Sequence, residues 1–148
     1  MDLGQLLTQI VPFIRTVGIV VDPIAPGQGS ATATLPYRSE VGNHIGTAHA
    51  GAAYTLGETA SGGVVLSLFA DQVQSGGFVA LKGAQVRHTK AAPGDLVASA
   101  TLVGDAASQR AQYDATGKLD LDVEVVLRAG DIETAVVTYT WAVRAPRD

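Results

Sequence analysis

The chain has 148 residues, 47% of them hydrophobic, which is enough for one domain (1–148) with a single core. Its net charge of −4, with no basic run, argues against a nucleic-acid partner, and the lack of cysteine excludes disulfides and thiolate ligands. No apolar run reaches the ~20 residues of a membrane span, and the start lacks a basic signal region. We therefore expect a cytoplasmic protein with no membrane partner.

Charged residues make up only 16% of the chain, against about 25% in typical domains. A chain of this composition buries an unusually large share of its surface or hides an additional apolar face. We expect a homo-oligomer, either a dimer or a dimer of dimers.

The first part of the chain predicts a helix and then two strands. Apolar residues at helical spacing predict an N-terminal helical segment over 1–16, disturbed by Pro12 and packed over a sheet edge. Residues 17–21 are β-branched and predict a strand, which residues 29–35 follow as its hairpin partner.

Residues 48–70 predict a long central helix. They contain no proline, are apolar on nearly all sides and carry one charge, Glu58, so the helix should be buried. A carboxylate there is unfavourable unless it is paired, hydrogen-bonded or used, which makes Glu58 the leading functional candidate. Four glycines, each weakening a helix by about 1 kcal/mol relative to alanine, indicate close approach of a sheet or a ligand. They are Gly51, Gly57, Gly62 and Gly63.

The second half of the chain predicts mainly strands. We predict a polar turn at 71–77, strands at 78–88, 96–103, 119–125 and 134–143, and a short helical insertion within 104–118. The predicted fold class is α+β, an antiparallel sheet of about six strands curled around the central helix.

Two motifs carry a resemblance to a known family. They are Asn43-x-x-Gly46-Thr47-x-His49-x-Gly51, with Glu58 nine residues after His49, and Arg87-His88-x-x-x-x-Pro93-Gly94-Asp95. At this spacing the chain resembles the hot-dog-fold thioesterases of the phenylacetate-pathway type, and the insertion near 105–117 is similar to a bacterial branch of that superfamily. The resemblance covers roughly residues 17–145. It implies a hot-dog fold and hydrolysis of acyl-CoA or a related thioester substrate without a cofactor.

The resemblance also implies roles for individual residues. The catalytic carboxylate falls on Glu58, the backbone N–H that binds the oxyanion on Ala50, and an amide near the thioester on Asn43. Gly46 and Gly51 fall in the substrate-binding loop. The sequence departs from the family in having Ala50 where a glycine is usual and in lacking a hydroxyl residue at the usual supporting positions.

The same chemistry follows from the residue types. A helix N-terminus offers free N–H groups to an oxyanion, and a carboxylate shielded from water can act as a base or nucleophile. Ala50 and Glu58 are eight residues apart, about 12 Å along a helix, so one carbonyl cannot touch both. A site that uses both residues must combine two subunits.

Each assignment has a structural alternative. Glu58 could be hydrogen-bonded across a dimer interface, and Asn43 could stabilise its loop. His49 is better suited to capping or orienting than to catalysis, because nine residues at ~100° each turn it away from Glu58. Arg87 and His88 could neutralise coenzyme A phosphates or lie on a solvated strand end.

Other functions fit the sequence less well. His44, His49 and Glu58 lack the spacing of a zinc site, so we expect no metal. Hydration or dehydration of acyl thioesters would need a His-rich loop that is missing between Asn43 and Gly51. The main alternative to a thioesterase is a non-catalytic acyl-binding or fatty-acid-binding protein.

Overall fold

The computed structural model describes residues 2–147 as one antiparallel sheet and four α-helices. The helices are α1 (Leu3–Ile10), α2 (Pro12–Val17), α3 (Ala50–Gln74) and α4 (Ala106–Thr116), with a 3₁₀ turn at Ser39–Val41. The strands are β1 (Val20–Val21), β2 (Ser30–Leu35), β3 (Phe78–His88), β4 (Leu96–Leu102), β5 (Lys118–Ala129) and β6 (Ile132–Arg144). Their order in the sheet is β1-β2-β4-β5-β6-β3. The predicted α+β architecture, a six-stranded sheet around one long helix, is confirmed.

The long strands β5 and β6 form because polar and apolar residues alternate along them. Their alternate side chains point into the core, where residues of the two strands pair in register, as Val125 does with Val137. The inward side chains on β6 include Val137, Tyr139, Trp141 and Val143, as the alternation predicts. This apolar face packs against α3.

The N-terminal segment differs from the single helix predicted for 1–16. It forms two helices, because Pro12 cannot continue α1 but is well suited to the first position of α2. Gly18 ends α2 with a left-handed φ of 81°. The predicted strand at 17–21 is correspondingly shorter and begins at Val20.

Helix α3 begins two residues later and ends four residues later than predicted. The segment from Asp71 to Gln74, predicted as part of a turn, continues the helix beyond a kink at Phe69 (φ −132°, ψ 26°). Arg110 of α4 binds the Asp71 carboxylate at 2.6 Å and holds this last turn. The prediction of burial on nearly all sides is wrong for the first turns, where Ala50 and Tyr54 are exposed.

Strand β3 is an edge strand, which the alternation of residues 78–88 did not indicate. Within the described chain it pairs with β6, and its other edge is open. Its inward-facing Val86 is 42% exposed, and the strand carries a bulge between Leu81 and Gly83. In the part of the chain that is described, no helix has the length and apolarity to span a membrane.

Candidate functional site

The loop before α3 is organised by the side chain of Asn43. Its Oδ1 accepts the backbone N–H groups of Ile45 (3.1 Å) and Thr47 (3.0 Å), and its Nδ2 donates to Thr47 Oγ1 (2.8 Å) and the Ala48 carbonyl (3.4 Å). Gly46 provides the positive φ (77°) that the turn requires. All four hydrogen-bonding positions of the amide are used within the loop, so its hydrogen bonds stabilise the loop, and the predicted contact with a thioester stays a prediction.

His49 caps the N-terminus of α3. Its Nδ1 accepts the backbone N–H of Gly51 (2.8 Å), and the backbone N–H of His49 donates to the Val41 carbonyl (2.8 Å). The next N–H, that of Ala50, has no hydrogen-bond partner among residues 2–147. The cap therefore leaves Ala50 as a free donor at the positive end of the helix dipole.

A cavity of about 300 Å³, which we call the N-terminal cavity, lies at this helix end. Its lining includes three of the predicted site residues, Asn43, Ala50 and His88. Lys90, which follows β3, adds a positive charge to the rim. The cavity thus combines a helix N-terminus with a cation, an arrangement that favours a negatively charged ligand group.

A second cavity, of about 290 Å³, contains Glu58 and is called the Glu58 cavity. It lies between α3, the two N-terminal helices and the inner face of β3 and β6, and its other walls are almost entirely apolar. Glu58 is half-buried, and no cation or hydrogen-bond donor among residues 2–147 contacts its carboxylate. Burial raises the pKa of Glu58 above its ordinary value of 4.5.

Two aromatic residues of β6 support α3 on either side of Glu58. Tyr139 donates to the Tyr54 carbonyl (2.7 Å) and passes so close under Gly57 that a Cβ there would collide with its hydroxyl. Trp141 donates from Nε1 to Ser61 Oγ (3.0 Å), and this hydroxyl in turn donates to the backbone carbonyl of Glu58 (2.8 Å). Ser61 is therefore buried and engaged, which excludes it as an exposed nucleophile.

The two cavities share no lining residue, and their key groups lie about 12 Å apart along α3. The structure brings Asn43, Ala50 and His88 together but keeps Glu58 apart from them within one chain.

The remaining predicted site residues lie elsewhere. His49 and Gly51 line a separate surface depression beside α2, on the other side of the helix start. Gly46 and Arg87 are exposed and line neither cavity. Among residues 2–147, no three His, Asp or Glu side chains are grouped so that they could hold a metal ion.

Sequence reasoning missed several walls of the Glu58 cavity. Leu7, Ile10 and Ile14 form its N-terminal side, and Val79 and Leu81 of β3 form part of its sheet side. Gly62, which lies one turn after Glu58 and was among the glycines predicted to mark close approach of a sheet or a ligand, borders the cavity beside Trp141. The apolar face of the N-terminal segment was recognised, but periodicity does not say what such a face covers.

One family model matches nearly the whole chain. A family model described as a domain of unknown function (DUF4442) matches residues 3–143. No curated protein sequence matches the chain.

Solved structures resemble it over nearly its whole length. One is a protein of unknown function from Pseudomonas aeruginosa described as a probable thioesterase, with 23% identity, coverage of 97% of this chain and 93% of that chain, and a TM-score of 0.78. A mutant thioesterase from the same organism is 18% identical, with a TM-score of 0.72, and the match covers 95% of this chain and 93% of that one. A protein of unknown function from Chlorobaculum tepidum is 14% identical, with a TM-score of 0.80, and the match covers 97% of this chain and 93% of that one. The hot-dog fold that the resemblance implied is confirmed.

Proposed function

The chain belongs to the DUF4442 family, and we propose, from the geometry of its two cavities, that it hydrolyses acyl thioesters such as acyl-CoA in the cytoplasm. The structural neighbours described as thioesterases support this class of reaction. The observation that carries the proposal is Glu58, a half-buried carboxylate that faces an apolar cavity and that no cation contacts among residues 2–147. A carboxyl with a raised pKa in a cleft is suited to general-base or nucleophilic catalysis.

In the proposed reaction, the thioester carbonyl oxygen accepts the free N–H of Ala50 as negative charge develops on it. Glu58 either takes a proton from an attacking water or attacks the carbonyl itself, forming an anhydride that water then opens. Both routes release the thiol and leave the free acid. The cation at the rim of the N-terminal cavity, Lys90, supports binding of the phosphates of coenzyme A there.

The separation of the two cavities supports a site made by two chains. The N-terminal cavity of one subunit would meet the Glu58 cavity of the other, with the thioester carbonyl between them. The open edge of β3 and the exposed Val86 provide a surface suited to such association. We therefore propose a homodimer or a dimer of dimers.

Complementation tests the function and the two-chain site together. Ala50→Pro removes the N–H donor at a helix position that tolerates proline, and His49 before it already has a compatible extended conformation (φ −60°, ψ 139°). Glu58→Gln removes the carboxylate. Each variant alone should be inactive in thiol release from acyl-CoA.

Co-refolding the two variants should restore activity, because mixed dimers contain one site with both native groups. In a symmetric dimer, random mixing predicts recovery of about a quarter of the parent activity. Mixing either variant with the doubly substituted chain is the control and should restore nothing. Mixed dimers without recovered activity would contradict the two-chain site.

One observation favours a non-catalytic acyl-binding protein as the second candidate. The hydroxyls nearest Glu58 in sequence do not bind its carboxylate, since Ser61 donates to the Glu58 backbone and Thr59 to the Thr55 carbonyl (2.8 Å). Nothing on the helix would then hold the attacking water. Lipid that co-purifies with the protein, with no thiol release across an acyl-CoA panel, would favour this candidate.

A further inference from the structure

The walls of the Glu58 cavity are aliphatic and come from three parts of the fold. The N-terminal helices contribute a row at helical spacing, formed by Leu7, Ile10, Val11 and Ile14. Helix α3 contributes Gly62 and Leu66, while Trp141 is the one aromatic residue among those that line the cavity. Glu58 is the one charged group of this lining. The cavity is thus an apolar chamber with a carboxylate on its wall.

The chamber borders a long stretch of α3. Its lining follows α3 from Glu58 past Leu66 to Val73, a span of about 22 Å at 1.5 Å per residue. Its volume of about 290 Å³ is nearly twice that of an engineered cavity of roughly 150 Å³ that holds benzene. By that measure it has room for on the order of ten carbon atoms.

We propose that this chamber is the acyl site of the thioester and that it takes straight aliphatic chains of medium length, with Gly62 determining how far a chain can extend. This inference rests on the proposed thioester hydrolysis, whose reacting carboxylate is Glu58. Walls that extend along α3 and are mainly aliphatic suit a flexible chain better than an aromatic ring. The carbonyl end lies at Glu58, and the chain runs along α3 between the N-terminal helices and Trp141.

Gly62 has this role because of where its missing side chain would point. A Cβ built there lies 3.4 Å from the Trp141 ring, an ordinary contact, so alanine fits without displacing the tryptophan. Gly57, one turn and a half earlier, has no such room because of Tyr139. The absence of a side chain at residue 62 is therefore not required by packing, and it keeps the chamber open beyond Glu58.

The test measures kcat/KM for straight-chain acyl-CoA substrates and for phenylacetyl-CoA. For the parent we expect kcat/KM to rise by up to roughly fourfold per added CH₂ and to peak near ten carbons. Gly62→Leu should shift the optimum to shorter chains and lower kcat/KM for the longest chains by about 10-fold or more, with Gly62→Ala intermediate. Because both replacements favour helix formation, the melting temperature of Gly62→Ala should not fall below that of the parent.

A matched pair of variants controls for surface effects. Ile10 lines the chamber and is 50% exposed, whereas Phe13 is similarly exposed (56%) but does not line it. Ile10→Ala should weaken selection among long chains, and Phe13→Ala should leave the chain-length profile unchanged.

Binding of non-hydrolysable acyl-CoA thioethers, measured by calorimetry, separates the two proposals. If the parent hydrolyses no thioester but binds thioethers with the expected dependence on chain length and on Gly62, the acyl site stands and hydrolysis is refuted. If thioesters are hydrolysed but phenylacetyl-CoA is preferred, or Gly62→Leu leaves the profile unchanged, the acyl site is overturned and hydrolysis stands.

Discussion

The two carboxylates of helix α3 lie in opposite environments. Glu58, in the first half, faces an apolar cavity with no cation beside it among the described residues, and burial raises its pKa. Asp71, in the last turn, is bound at 2.6 Å by Arg110, whose hydrogen bonds lower the pKa of Asp71. Arg110 also lies over the ring of the buried Phe69, 5.6 Å from its centroid. The last turn of the helix is thus held by residues of its own chain, whereas Glu58 has no such partner among the described residues. Glu58 is where we propose that a substrate and a second subunit act.

The largest expected effect is at Glu58. Glu58→Gln keeps the size and polarity of the side chain but removes the base, so activity should fall by about 10²- to 10⁴-fold. Steady-state thiol release, with circular dichroism to confirm the fold, measures it. A variant that keeps the parent kcat would show that Glu58 is not the catalytic group.

In the last turns of α3, the second-largest expected effect is on the free energy of unfolding. Phe69 is 1% exposed and packs edge-on to Tyr113 (5.4 Å), so Phe69→Ala should lower the free energy of unfolding by about 3–5 kcal/mol. Tyr54→Ala, at the open end where Tyr54 is 36% exposed, is the matched control and should have a smaller effect. Chemical denaturation measures both. Equal losses would mean that the two ends are packed alike.

The oxyanion donor should have a slightly smaller effect than the base. Loss of one such N–H typically lowers kcat by about 10²- to 10³-fold, and Ala50→Pro should do so while the fold survives. Ala50→Gly keeps the N–H and should retain activity. Folded Ala50→Pro protein with undiminished turnover would show that the oxyanion is held elsewhere.

The smallest effects are in the pH dependence of stability, where the two carboxylates should have opposite signs. The pKa of Glu58 in the folded protein is raised above 4.5. The stability that Glu58 contributes is therefore fully present below that pH and is lost as pH rises through the folded pKa. Glu58→Gln should therefore raise the melting temperature increasingly above pH 4.5.

The pKa of Asp71 in the folded protein is lowered from 3.8. The stability that Asp71 contributes is therefore present above that pH and is lost as pH falls through the folded pKa. Asp71→Asn should lower the melting temperature at neutral pH, and the difference should vanish in acid. Thermal melts across this range test both carboxylates, and pH effects of the same sign would contradict the contrast between the two ends.

Much of the fold could be predicted because its patterns are local. Alternation in 119–125 and 134–143 indicated two half-buried strands, and the apolar run around Glu58 indicated the central helix. The extension of α3 through Asp71 could not be predicted from local patterns. The side chain that binds Asp71 belongs to Arg110, which lies 39 residues later in the chain.

The candidate site was less predictable than the fold. The motif spacing predicted roles for Ala50 and Glu58, which stay predictions, and their separation along α3, which the structure shows. It did not show that the Asn43 amide forms its hydrogen bonds within the loop. The N-terminal helices became a wall of the Glu58 cavity only through tertiary packing, which no periodicity in residues 1–16 reveals.

The position of β3 has a consequence for how the protein folds as it is synthesised. β3 follows α3 directly, but in the described chain its one strand partner is β6, which is made last. The contacts that fix β3 must therefore close a loop of more than forty residues, so they form late. Until β6 pairs with it, β3 has no strand partner in the described chain. Its inner face and the adjacent side of α3 then depend on the N-terminal helices, or on chaperones, for shielding.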